Sequence, residues 1–94
     1  MTPEETIAAI RADARFAAAS AKLAAEHARI VEDCITLTQI PAPPFAEEER
    51  AAAYLALLRA HGLEEVEQDE IGNVMGLRRG FGNGDILVVA AHLD

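Results

Sequence analysis

Cysteine occurs once in this chain of 94 residues, tryptophan is absent, and tyrosine and phenylalanine together supply only four residues. A single Cys34 excludes an internal disulfide framework. With no base beside it Cys34 is a poor nucleophile, and its place in a helical pattern predicts a buried structural thiol. Aromatics at 4% against an apolar content of 51% exclude a core built on large rings. Alanine supplies much of the apolar content, which favours helices packed closely on something else. Basic residues are scarce too: eight Lys and Arg face sixteen Asp and Glu, for a formal net charge of −8. Nucleic acid and anionic membrane are therefore poor partners, because phosphate binding needs clustered Lys and Arg. The same balance suits attraction of cations. No apolar run approaches the ~20 residues that span a bilayer. Met1-Thr2-Pro3-Glu4-Glu5 is acidic where a secretory leader is basic, so a cytoplasmic location is expected.

A chain of this size forms one domain at most, burying somewhat over ~60% of its unfolded surface. Thr2-Pro3-Glu4-Glu5 carries a helix start: a capping hydroxyl, proline in the first turn, and acids at the positive end of the dipole. Ile30, Val31, Cys34 and Ile35 then fall at helical spacing and give an amphipathic face. The stretch before them is sparser, and Ser20 marks an expected break. One long helix or two shorter ones fit residues 1–39.

Residues 40–45 read as a stiff connector, since Pro41, Pro43 and Pro44 remove donors and push their predecessors out of the helical region. The segment is short and flanked by helices, which favours a connector over a polyproline ligand. Residues 46–61 form the next expected helix, with Glu47, Glu48 and Glu49 in its first turn and Ala51, Leu55 and Leu58 on one stripe. Successive helix positions point in different directions, so the acid run complements the dipole and holds no metal. Gly62 supplies the left-handed C-terminal position, and Leu63 is placed to touch Leu58.

Beyond it, residues 65–70 suggest an exposed edge strand whose acids discourage pairing with other chains. Gly72-Asn73 is a turn signal, and residues 74–79 resume an extended pattern, so a β-hairpin is expected. Gly80-Phe81-Gly82-Asn83-Gly84 is a second loop. It lacks the following helix and the Lys of a phosphate cradle. Residues 85–91 are continuously apolar after Asp85 and β-branched at their centre, as in a strand buried on both faces of a sheet. The fold class expected is α/β: two or three helices, a hairpin and a buried central strand.

His92 and Asp94 follow that run directly. Ligands in open α/β sheets bind beyond the carboxyl ends of strands, and His is the commonest metal ligand. Residues two apart in an extended segment point to the same side, so Asp94 can orient the His92 ring and raise its basicity. His-x-Asp also arises by chance, and a lone His at a strand end is ordinarily a hydrogen-bonded polar residue. His27 and His61, both on helices, read as structural.

Taken together, Ile40-Pro41-Ala42-Pro43, Gly62-Leu63, Asp69-Glu70-Ile71-Gly72-Asn73-Val74 and Ala91-His92-Leu93-Asp94 have an order and spacing that changes the reading of His92. From about residue 28 onward the chain resembles the start of the two-zinc family that includes peptidase T, carnosinases, aminoacylase, acetylornithine deacetylase and succinyl-diaminopimelate desuccinylase. The resemblance implies the amino-terminal part of a zinc-exopeptidase-like catalytic domain, ending just past its first metal motif. It implies His92 as a zinc ligand and Asp94 as the catalytic-site carboxylate that orients it.

The complete enzymes hold two zincs, with cobalt or manganese as substitutes. There, a metal-activated water attacks an amide carbonyl of a small peptide or N-acyl amino acid. The family's Thr-Val continuation, bridging Asp, Glu-Glu pair and dimerisation domain do not occur in these residues, so this chain by itself is expected to be inactive. A peptidase is favoured over a deacylase on likeness to the peptidase T branch. Two further readings stand: a non-enzymatic interaction or assembly protein keeping only this part of the fold, and a different metal-using hydrolase with a similar opening. An exposed strand edge also makes a homo-oligomer an expected assembly state.

Overall fold

The computed structural model describes every residue from Met1 to Asp94. It is an α/β chain of four helices and a two-stranded antiparallel hairpin. It divides into two compact units, Met1–Ile35 and Thr36–Asp94.

In the first unit, α1 (Pro3–Ala12) starts on a reciprocal capping box: the Glu5 amide donates to the Thr2 hydroxyl and the Thr2 amide donates to the Glu5 carboxylate. This satisfies two orphan donors at once. The helix stops at Asp13, whose backbone is extended at φ −72° and ψ 133°. Asp13 then caps α2 (Ala14–Ala25), accepting from the Arg15 amide at 2.8 Å. A second interruption at Glu26 precedes α3 (His27–Gln39). The break expected at Ser20 is not there; Ser20 lies inside α2. A side chain that can cap the next helix, at Asp13, decided the boundary rather than a thinning of apolar residues. Cys34 is exposed, not buried. It lies on the face of α3 that also carries Val31 and Ile35, both more than two-fifths exposed, so the amphipathic stripe exists without a cover.

The second unit holds the covered residues. After α3 come the proline connector and α4 (Glu48–Ala60), which starts two residues later than the sequence pattern suggests. The turn before it explains the delay: the Ala46 amide donates to the Pro43 carbonyl at 2.9 Å, and Phe45 takes a left-handed φ of 65°. Ala42 of the connector and Ala51 of α4 are the two buried apolar residues, at 7% and 1% exposure. Leu55 and Leu58, on the stripe of Ala51, are half-covered. At its other end α4 closes as expected on Gly62, at φ 79°. The Leu63 amide donates to Leu58 and the Gly62 amide to Arg59, satisfying two terminal carbonyls.

The hairpin packs on α4 through both of its strands, β1 (Glu64–Gln68) and β2 (Val74–Leu77). Glu64 pairs with Leu77 and Glu67 with Met75, so Glu65 and Val66 together oppose Gly76. This is a β-bulge, with Glu65 at φ 50°. Gly76 packs tightly against its neighbours. A Cβ there would stand 3.2 Å from Leu63 Cβ, 3.4 Å from Val66 Cγ2 and 3.5 Å from Leu58 Cδ1.

Residues 85–91 do not form the expected buried central strand. They belong to no helix or ladder, and Ile86, Leu87, Val88 and Val89 are 78% to 88% exposed. An apolar β-branched run is buried only where neighbouring strands and covering helices exist. The sole sheet here is the β1–β2 pair, which the run does not join.

Candidate functional site

The residues singled out for chemistry lie at the end of that exposed run. His92 Nδ1 is 3.5 Å from Asp94 Oδ1, with the imidazole 97% and the carboxylate side chain 38% exposed. The two side chains thus share one side of the backbone, and Asp94 approaches one ring nitrogen and leaves Nε2 to other partners. A carboxylate on one nitrogen of a histidine whose other nitrogen takes a metal is a recurrent arrangement. The donor set therefore fits a single imidazole ligand with its orienting carboxylate. No three His, Cys, Asp or Glu side chains converge on a common point in the chain. His27 begins α3 and His61 caps α4.

Sequence reasoning passed over Arg50, which the fold brings to this pair. It sits in the first turn of α4, where its guanidinium spreads over three backbone carbonyls. Nε and Nη2 donate to the Ile40 carbonyl at 3.1 and 2.6 Å, and Nη2 to the Thr38 carbonyl at 3.3 Å. Nη1 donates to the carbonyl of Leu93, between His92 and Asp94. The cation is out of place for the dipole of its own helix, and its position is explained by the last carbonyls of α3, which have no intrahelical donors. One signal was available in the sequence: a basic residue beside three acids in a helix first turn calls for a partner elsewhere.

The segment Asp69-Glu70-Ile71-Gly72-Asn73 forms the hairpin turn and is organised by one carboxylate. Asp69 Oδ1 accepts from the amides of Ile71, Gly72 and Asn73 at 3.0, 2.9 and 2.8 Å, and Oδ2 accepts from the Asn73 side chain at 2.8 Å. These bonds, the Asn73 side-chain amide foremost, hold the Asp69 carboxyl below its usual range. Every donor is internal to the turn, so Asp69 acts on structure. Glu47 likewise acts locally: its Oε1 accepts from the Phe45 amide at 3.0 Å. A hollow of about 360 Å³ lies between Gly62, Glu64, Leu77, Arg78 and Phe81, apart from His92 and Asp94.

No protein-family model matches the chain, and no curated protein matches it significantly. No helix is long and apolar enough to cross a membrane.

Proposed function

We propose that this chain carries the first metal-ligand segment of a zinc-dependent hydrolase that cleaves amide bonds of small peptides or N-acyl amino acids, as part of a larger catalytic unit. The observation that carries the reading is the pairing of His92 Nδ1 with Asp94 at 3.5 Å, leaving Nε2 as the ligand atom. The motif order that resembles the two-zinc peptidase and deacylase family supports it. Zinc bound there supplies Lewis acidity and a water acidic enough to attack a carbonyl near neutral pH. In that setting His92 binds the metal through Nε2, and Asp94 holds the imidazole in the tautomer and orientation that make Nε2 a good donor. Two zincs need several more ligands and a general base. Under this reading those groups come from outside these residues, since no cluster of three candidate ligands exists among them.

A second reading, a non-enzymatic interaction or assembly protein, draws on the exposed apolar run at Ile86, Leu87, Val88 and Val89. The two are separated by expressing the native polypeptide that carries these residues, counting bound metal, and assaying dipeptides, tripeptides and acetylated amino acids. The hydrolase reading expects His92→Ala to remove one metal and nearly all turnover. Asp94→Asn should cost about 10–100-fold in affinity or activity and be partly restored by added zinc. Full metal content and normal rates in His92→Ala would overturn the assignment.

A further inference from the structure

We infer that Arg50 is the positioning residue for the His92–Asp94 pair, a role that rests on the hydrolase reading above. Every residue from Arg78 through His92 is exposed, and no helix or strand organises residues 78–92. Leu93 is the first residue after that stretch to be partly covered, and its carbonyl accepts from Arg50 Nη1. The remaining donors of the same guanidinium grip Ile40 and Thr38 at the end of α3. Arg79 bonds to Glu64 and Glu65 of β1 at the start of that stretch, and Arg50 ties its other end to the end of α3.

The tie falls at the residue where it controls most. Leu93 lies between the ligand and its orienting carboxylate, so holding its carbonyl restrains the backbone on both sides. His92 and Asp94 are then kept facing one another. Binding a metal to a prearranged pair does not have to include the ordering of a loose segment. The fork geometry of arginine is what reaches three carbonyls at once; the ammonium of lysine is a compact point charge on a flexible stem and lacks the planar fork. No carboxylate is among these acceptors, which leaves the guanidinium committed to backbone alone.

The test is made on this chain, by nitrogen relaxation at Leu93 and Asp94 and by cobalt(II)-induced broadening of the His92 ring signals. In the unaltered protein the order parameters at 93 and 94 should match those of α4, near ~0.85 for rigid backbone. In Arg50→Gln they should fall below ~0.6 while the α4 amides are unchanged, and Arg50→Lys should lie between. Cobalt broadening at His92 should weaken several-fold in both variants at equal metal. Should Arg50→Gln fail to fold, the unaltered chain and Arg50→Lys decide the matter. Residues 93 and 94 that are already mobile in the unaltered chain, or as ordered in Arg50→Lys as in it, overturn the proposal. Cobalt broadening of equal strength with and without Arg50 removes the positioning role and leaves the hydrolase reading standing. Ordered residues 93 and 94 with no cobalt effect at His92 would sink the hydrolase reading and the metal role of Arg50 with it.

Discussion

Asp69 and Asn73 bond to each other in both directions across the hairpin turn. The Asp69 amide donates to the Asn73 carbonyl at 2.9 Å, while the Asn73 amide and side chain donate to the Asp69 carboxylate, each at 2.8 Å. With the Ile71 and Gly72 amides added, one ionised carboxylate accepts four hydrogen bonds. The turn that connects β1 to β2 is thus held by a charge, and its stability follows that charge.

The acid limb of stability should report this. The Asp69 carboxyl is lowered from 3.8 in the folded chain, so its contribution is present above that value and lost as pH falls through the folded one. Asp13 behaves alike, held down to about 2 chiefly by the Arg15 side chain. Hairpin amide protection and helical circular dichroism should hold above pH ~4 and each decline below it as its own carboxylate is protonated. Asp69→Asn should weaken hairpin protection at neutral pH and flatten its acid limb, with the helical limb from Asp13 unchanged. An unaltered acid limb of the hairpin in Asp69→Asn would contradict this account.

Gly76 leaves no room for a side chain beside Leu63, Val66 and Leu58. Gly76→Ala places a methyl group 3.2 Å from Leu63 Cβ, which is close to backbone and has little freedom to yield. Overpacking of this kind costs ~1–3 kcal/mol, less what alanine gains by restricting the unfolded chain. We expect a net loss of about 1 kcal/mol in urea unfolding. The loss should be relieved in the double variant with Val66→Ala or Leu58→Ala only as far as those atoms, rather than Leu63, set the limit.

Phe45 holds a left-handed backbone and is 97% exposed. The conformation costs an L-residue roughly 1–2 kcal/mol, and the ring recovers nothing by burial. Phe45→Gly should raise stability by about 0.5–1 kcal/mol after the greater freedom of unfolded glycine is counted. Phe45→Asn should do the same to a smaller degree. Loss of stability in both, measured by thermal unfolding, would mean that the ring is held by a contact in solution.

The run at Ile86, Leu87, Val88 and Val89 exposes four large apolar side chains in succession. Segments of high β-propensity with no charge invite pairing with other chains. Sedimentation should show concentration-dependent association, reduced by Leu87→Lys combined with Val89→Lys. A dilute-to-concentrated series that stays monomeric in the unaltered chain would refute this expectation.

Local chemistry was legible in the residues themselves. Thr2 with Glu5, Gly62 with Leu63, and Gly72-Asn73 each specify a cap or turn through atoms a few positions apart, and each stands where the pattern placed it. The juxtaposition of His92 and Asp94 was equally accessible, because side chains two residues apart share a side in extended backbone. Other features could not be read this way. Whether residues 85–91 are buried depends on strands and helices that must be supplied by other parts of a fold, and apolar content alone does not provide them. The same holds for Cys34, whose helix face is amphipathic in sequence and uncovered in space. Only the tertiary structure revealed the partners of Arg50, since Thr38, Ile40 and Leu93 lie 12, 10 and 43 residues away. The sequence determined the start of α1 at Thr2, the close of α4 at Gly62 and the hairpin turn at Gly72-Asn73, all through short-range bonding. The tertiary structure decided which apolar faces are covered and which side chain braces the His92–Asp94 pair, because both depend on contacts between segments that no local pattern encodes.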